Sequence, residues 1–273
     1  MLTLTEAKEK SLKILVGVNV LTMIDDEIYG SHSNLWFRLG RNYPNITFFK
    51  YHPRRTSIDN MRNFAAEIAL RQECDYILFI DDDVSIDPDI LGHLLKAEKD
   101  VIMELTYIRG YPFNVMAFKE VVKEERGTIL DFYNDYEKDM DENGLVKCDA
   151  VGCSCVLIDC NILKKMSMPY FVTGTRAHTE DIYFCIKARI EAGAEIWMDA
   201  NKPTGHLLDK EFLTKSNVSQ LRAYYESIGF KKEEESGDRQ LDYLKHCLDQ
   251  FEIPSVDKKL DLELPESVEK LLA

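Results

Sequence analysis

Residues 76–83 read YILFIDDD. A continuous apolar and aromatic run without a single charge is the pattern of a strand covered on both faces. The run stops abruptly at Asp81, Asp82 and Asp83. Strands buried on both faces belong to parallel sheets flanked by helices, and ligands of such sheets bind beyond the carboxyl ends of the strands. The acids after this strand therefore indicate both a fold class and a place for a site.

Working outward, strand and helix signals alternate. Residues 13–19 (KILVGVN) are a β-branched apolar run and predict a buried strand. Residues 31–39 are helix-like, and the turn signal Asn42-Tyr43-Pro44 precedes a second strand over 46–51 (ITFFKY). Residues 57–74 predict a helix with the apolar stripe Ile58, Met61, Ala65, Ile68 and Ala69, capped by Thr56 or Ser57. A helix over 88–96 and a fourth strand over 101–105 follow the central strand. This βαβαβαβ order predicts an α/β fold, Rossmann-like, with a mostly parallel sheet and helices on both faces. Residues 119–147 are polar and acidic, with Phe132, Tyr133 and Tyr136 interspersed, and read as a hairpin or loop insertion. Then come a strand over 151–159 (VGCSCVLID), a Gly/Thr loop over 168–178, a helix over 179–192 and a strand over 195–199 (EIWMD). Beyond His206 the pattern is helical, over 212–228 and 241–251, with a solvated break at 233–237 (EEESG). The expected organisation is a main domain over 1–209, in halves 1–105 and 106–209, and a helical extension over 210–273.

Composition narrows the function classes. The 273 residues are 45% hydrophobic and 30% charged, the balance of a globular chain with a sizeable core. The net charge of −14 repels phosphate backbones and anionic lipid headgroups, which disfavours generic nucleic-acid binding. No apolar run approaches the roughly 18–20 residues of a membrane helix, and MLTLTEAKEKS lacks a hydrophobic signal core. A cytoplasmic protein without membrane insertion is expected. Cys148, Cys153, Cys155 and Cys160 crowd together, but their spacing is not a usual zinc pattern. Buried thiols are the favoured reading, with a zinc site as the alternative.

Three constellations carry chemistry. Asp81 and Asp83 point the same way by strand alternation, and a hard cation such as Mg²⁺ or Mn²⁺ would relieve their repulsion. The bland reading is a surface turn whose acids cap the next helix. A basic group, Lys50, His52, Arg54, Arg55 and Arg62, lies within reach of the same strand ends. Metal plus arginine is a diphosphate grip, whereas a plain ion-pair network needs only neutralisation. Thr179-Glu180-Asp181 opens a helix, where Thr179 can cap and acids suit the dipole. Pro203-Thr204-Gly205-His206 follows a strand and presents a histidine suited to metal or to solvent.

Taken in order, KILVGVN, DNMRNFAAEIAL, DYILFIDDDV, VGCSCVLI, HTEDIYFCIKARIEAG and EIWMDANKPTGHL resemble a glycosyltransferase of the GT-A fold, nearest to family 2 and to its small bacterial and phage members. The resemblance spans residues 13–207. It implies a donor that is a nucleotide-diphosphate sugar, UDP-sugars being the default, and Mn²⁺ or Mg²⁺ as cofactor. Asp81 and Asp83 match the DxD acids, with Asp83 the direct metal ligand, and His206 matches the histidine that completes the metal site. Asp181 matches the general base of inverting members, and Glu180 beside it counts with it as a catalytic residue. Arg62 and Asn63 match the polar pair at the donor pocket. Asn19, Arg55 and Asp82 fall on the same donor side, and Gly152 matches the small residue of the acceptor-side strand. Two features depart from the family: the first strand ends Val18-Asn19-Val20, and no QxxRW signature of processive synthases is present.

Three alternatives remain at this level. A sugar-phosphate nucleotidyltransferase would want a Gly-rich loop after the first strand, where VGVNVLTMIDD stands. A metal-dependent phosphohydrolase would need more acids or histidines converging on two metals than His206 and Asp199 supply. A degenerate nucleotide- or glycan-binding module would not need the full set of acids. The acceptor can be a glycan, a protein or a modified nucleic-acid base. The loop over 168–178, with Arg176 and His178, is a candidate lid, and the C-terminal helices are a candidate homo-oligomer contact.

Overall fold

Strand β1 (Lys13–Asn19) shows how the apolar runs build the core. Its even residues Ile14, Val16 and Val18 pack on one face with Leu35 and Leu39 of helix α1 (Asp26–Asn42). Leu15 turns to the other face, against Phe64, Ala65, Ile68 and Ala69 of α2 (Ile58–Arg71). Each strand thus feeds two cores, as the period-2 alternation of a doubly covered sheet requires. The computed structural model describes residues 11–20, 24–53, 56–124, 127–174, 179–208 and 211–227.

The main sheet is seven-stranded, in the order β2-β1-β3-β10-β5-β11-β8. Here β2 is Thr47–Tyr51, β3 Tyr76–Asp81, β5 Val101–Glu104, β8 Leu145–Cys148, β10 Cys155–Asp159 and β11 Ile196–Asp199. The pairs β1–β2, β1–β3 and β5–β11 are parallel. Helix α3 (Ile90–Ala97) joins α1 on one face, while α2 and α4 (Cys160–Leu163) lie with the other core. The fold is mixed α/β with a mostly parallel sheet, as the sequence order predicts.

Several local expectations change. The third and fourth expected strands, β3 and β5, are not neighbours. Strand β10 lies between them and runs antiparallel to both. Its apolar pattern reveals burial on two faces, but burial is the same whichever way a neighbour runs, so periodicity cannot give its direction. The single strand expected over 151–159 is two strands. Strand β9 (Ala150–Val151) pairs with β6 (Ala117–Glu124) in a separate small sheet, and only β10 enters the main one. The insertion over 119–147 does contain a hairpin, β6 with β7 (Gly127–Phe132). Its Tyr133 and Tyr136 are buried in the core and offer no open ring face.

Helix α1 begins earlier than residue 31 because Asp25 caps it, accepting the Glu27 N–H at 3.0 Å. Helix α5 (Glu180–Lys187) passes into a π-turn (Ala188–Ala192) that ends at Gly193, whose φ of +66° suits a residue without Cβ. The helix expected over 212–228 is a strand followed by a helix. Strand β13 (Glu211–Leu213) pairs with β12 (Gly205–Leu208), and α6 (Val218–Ser227) starts after a turn tied by Asn217. The Asn217 amide donates to the Phe212 carbonyl at 2.8 Å and accepts the Thr214 N–H at 2.9 Å. The expected helix over 241–251 lies outside the described residues. Among the described residues no helix is long and apolar enough to cross a membrane.

Candidate functional site

The site is assembled by backbone pairing at the carboxyl ends of β1 and β3. Strand β3 ends at Asp81, and Asp82 and Asp83 form the turn into β4 (Val84–Ser85). Strand β12 pairs with β4 so that His206 stands opposite Val84, and the Leu207 N–H donates to the Asp83 carbonyl at 2.9 Å. Gly205 permits this approach, since a Cβ there would lie 2.5 Å from Ser85 Oγ and 3.2 Å from Phe212 Cβ. Beneath the site, Ser154, Thr106 and Thr204 form a buried hydroxyl chain with contacts of 2.9 and 2.6 Å. It ties the start of β10, the end of β5 and the start of β12 together. The Asp81 N–H donates to the Ser154 carbonyl at 2.9 Å.

Arg62 links the acids to helix α5. Its guanidinium is 3% exposed, and it donates to Asp81 Oδ1 at 3.1 Å and to Glu180 Oε1. It lies over the Phe79 ring, 5.9 Å from the centroid. Burial pushes the Asp81 carboxyl up to about 6; Arg62 pulls it down, Asp83 pushes it further up and His206 pulls it down. Burial also raises Glu180 above its usual range against the pull of Arg62. Asp181 follows on the same helix turn. Its Oδ1 accepts the Ile182 N–H at 2.8 Å, and its Oδ2 lies 3.4 Å from where a Cβ on Gly152 would be. That Cβ would also meet Met116 Cε at 2.5 Å, so glycine keeps this wall thin.

Asp83 is held differently. Its Oδ2 pairs with Arg109 Nη1 at 2.9 Å, and its Oδ1 is 3.6 Å from His206 Nε2. Burial opposes ionisation of Asp83, but the hydrogen bond and charge of His206 and the charge of Arg109 hold it below the usual carboxylate range. His206 Nδ1 is 2.7 Å from the Tyr107 carbonyl. A carbonyl only accepts, so Nδ1 carries a proton. That bond fixes the ring with Nε2 toward Asp83, which is how a metal-ligating histidine is oriented. Asp83 and His206 thus fit a divalent cation. Among the described residues no group of three or more His, Cys, Asp or Glu side chains converges as a metal cage. A Mg²⁺-type site needs no such cage, because it takes its remaining oxygens from phosphate and water.

The other expected residues fall as follows. Asn19 ends β1 in register with Asp81. Its side chain is buried, and neither amide atom has a hydrogen-bond partner among the described residues. An orphaned buried amide beside the acids is a polar group waiting for a ligand. Asp82 is partly buried on the turn between the two aspartates. Arg55, Arg176 and His178 lie outside the described residues. Asn63, expected on the donor side, has its amide engaged with the chain before α5. It accepts the Tyr170 and Phe171 N–H groups at 2.8 and 3.0 Å and donates to the Phe171 carbonyl at 2.6 Å. The first part of the candidate lid is therefore tied to α2. Asp199 accepts from the Asn201 N–H and side-chain amide and stands in register with the buried Glu104, whose carboxyl is raised well above its usual range by burial and by Asp199. Cys148, Cys153, Cys155 and Cys160 are buried thiols. Arg109 escapes the motif reading; its signal was only an Arg-Gly pair just past the strand over 101–105.

No protein-family model matches this sequence, and no curated protein is similar to it. Among solved structures, protein A197 from STIV is 17% identical, with a TM-score of 0.48 over 75% of this chain and 91% of that one. The 4-diphosphocytidyl-2C-methyl-D-erythritol synthase of Anaerococcus prevotii is 12% identical, with a TM-score of 0.39 over 79% of this chain and 97% of that one. A UDP-glucose pyrophosphorylase of Acinetobacter baumannii is 8% identical, with a TM-score of 0.35 over 78% of this chain and 72% of that one. These are likenesses of outline among α/β sheets. The case for an activity rests on the site.

Proposed function

We propose that this chain is a metal-dependent glycosyltransferase that moves a sugar from a nucleotide-diphosphate donor, a UDP-sugar by preference, to an acceptor hydroxyl with inversion. One observation carries the reading. Arg62 joins the first acid after the central strand to the acidic helix start of α5, while Asp83 meets His206 beside it. Segments 81–83, 180–181 and 206 are far apart in sequence, and a surface turn would not need all of them.

The chemistry divides among these groups. Asp83 and His206 would hold Mn²⁺ or Mg²⁺, which when bound offsets the charge growing on the departing diphosphate. Arg62 keeps Asp81 in place through a part-buried, charge-assisted bond. The unpartnered Asn19 amide offers a donor NH2 and an acceptor carbonyl to the nucleoside. Asp181 Oδ2 takes the proton of the acceptor hydroxyl as that oxygen attacks the anomeric carbon from the face opposite the leaving group. Glu180 anchors Arg62 and thereby sets the orientation of the α5 start.

The test is nucleoside diphosphate release from a panel of nucleotide sugars, with and without Mn²⁺, in wild type and Asp181→Asn. The expected result is metal-dependent release that the variant loses by about 10²–10⁴-fold while UDP binding survives. Loss of UDP binding in the variant would assign Asp181 a structural role. Pyrophosphate release from a nucleoside triphosphate and a sugar phosphate, without transfer, would make the chain a nucleotidyltransferase instead.

A further inference from the structure

Asp83 is paired with an arginine that the rest of the site does not use. Arg62 is 3% exposed and holds a carboxylate on each side, so it cannot turn toward a ligand without abandoning both. Arg109 is 53% exposed, and among the described residues its ion pair is with Asp83 Oδ2. A guanidinium carries five N–H donors in a planar fork that matches phosphate oxygens.

The backbone that carries Arg109 is fixed. Tyr107 bridges to Val115, the Ile108 N–H donates to the Asn114 carbonyl at 2.8 Å, and the Phe113 N–H donates to the Gly110 carbonyl at 2.7 Å. Arg222 of α6 donates to the Pro112 and Phe113 carbonyls at 2.7 and 2.8 Å, and the Tyr111 ring stacks on Tyr225. The loop is a rigid post, and the half-exposed side chain is the part with room to swing. A divalent cation on Asp83 and a guanidinium on the same carboxylate repel each other. The arginine then needs another anion close by, and a diphosphate bound to that cation is one.

Resting on the glycosyltransferase reading, we propose that Arg109 is a diphosphate-binding residue parked on Asp83. It neutralises Asp83 in the ligand-free site and passes to the donor's diphosphate when a divalent cation takes its place.

Arg109→Gln and Arg109→Lys test this through two binding measurements that should move in opposite directions. Mn²⁺ affinity without nucleotide, read by electron paramagnetic resonance, should rise severalfold in Arg109→Gln, because the competing internal cation is gone. UDP affinity at saturating Mn²⁺, read by calorimetry, should fall about tenfold or more, while uridine affinity stays the same. Arg109→Lys keeps the charge without the fork and should lie between. A merely structural role would lower both affinities, and so would overturn the proposal. Unchanged UDP affinity in Arg109→Gln would overturn it as well. Failure of the wild type to bind UDP or GDP with Mn²⁺ would instead remove the glycosyltransferase reading itself.

Discussion

Arg62→Met removes the guanidinium that bridges Asp81 and Glu180 while keeping an apolar stem of similar length. The two carboxylate side chains it leaves are 26% and 9% exposed, so neither can recover a full water shell. Breaking a buried pair by deleting one partner costs about 3–5 kcal/mol, and hydrogen bonds to charged groups contribute about 1.5–3 kcal/mol each. A loss of about 3–5 kcal/mol is therefore expected at pH 8. The pH dependence is the sharper signature. Asp81 already sits at about 6, above its unfolded value of 3.8, with Arg62 pulling it down. A carboxyl raised on folding gives its full stabilisation below the unfolded value and loses it as pH climbs through the folded value. Without Arg62 both acids rise further, so this loss extends to higher pH than in the wild type. The difference between the two proteins should be smallest near pH 5, where the orphaned acids take up protons, and should grow toward pH 8. Urea unfolding followed by circular dichroism at pH 5, 6.5 and 8 measures it. A loss under about 1 kcal/mol, or one that stays flat across this range, would refute the claim that Arg62 holds a buried and a part-buried acid.

Asn63→Ala deletes three hydrogen bonds to residues 170 and 171 and should cost about 2–3 kcal/mol, with faster amide exchange at Tyr170 and Phe171. Unchanged protection there would deny Asn63 its anchoring role. Glu104→Gln should make the protein more stable than the wild type at pH 8. The buried Glu104 carboxyl is raised well above its usual range, so wild-type stability falls as pH rises from about 5 and the variant's should fall less. Parallel stability profiles of the two proteins would show that the acid finds compensation elsewhere.

The amino-acid sequence by itself determined the main strands and helices of the first hundred residues, though not the early start of α1 or the short β4. A both-faces-buried strand such as residues 76–81 and a striped helix such as α2 are written in local periodicity, which needs no knowledge of neighbours. It also placed Asp81, Asp83, Asp181 and His206 at strand or helix ends, because turn and cap chemistry is local too. Tertiary structure alone decided what those ends meet. The insertion of β10 between β3 and β5 and the pairing of β4 with β12 join segments over 50 and over 100 residues apart, and a hydrophobic pattern carries no address for its partner. The β4–β12 pairing brings His206 to Asp83, and other contacts that no local pattern announces tie Asn63 to Tyr170 and set Arg109 on Asp83.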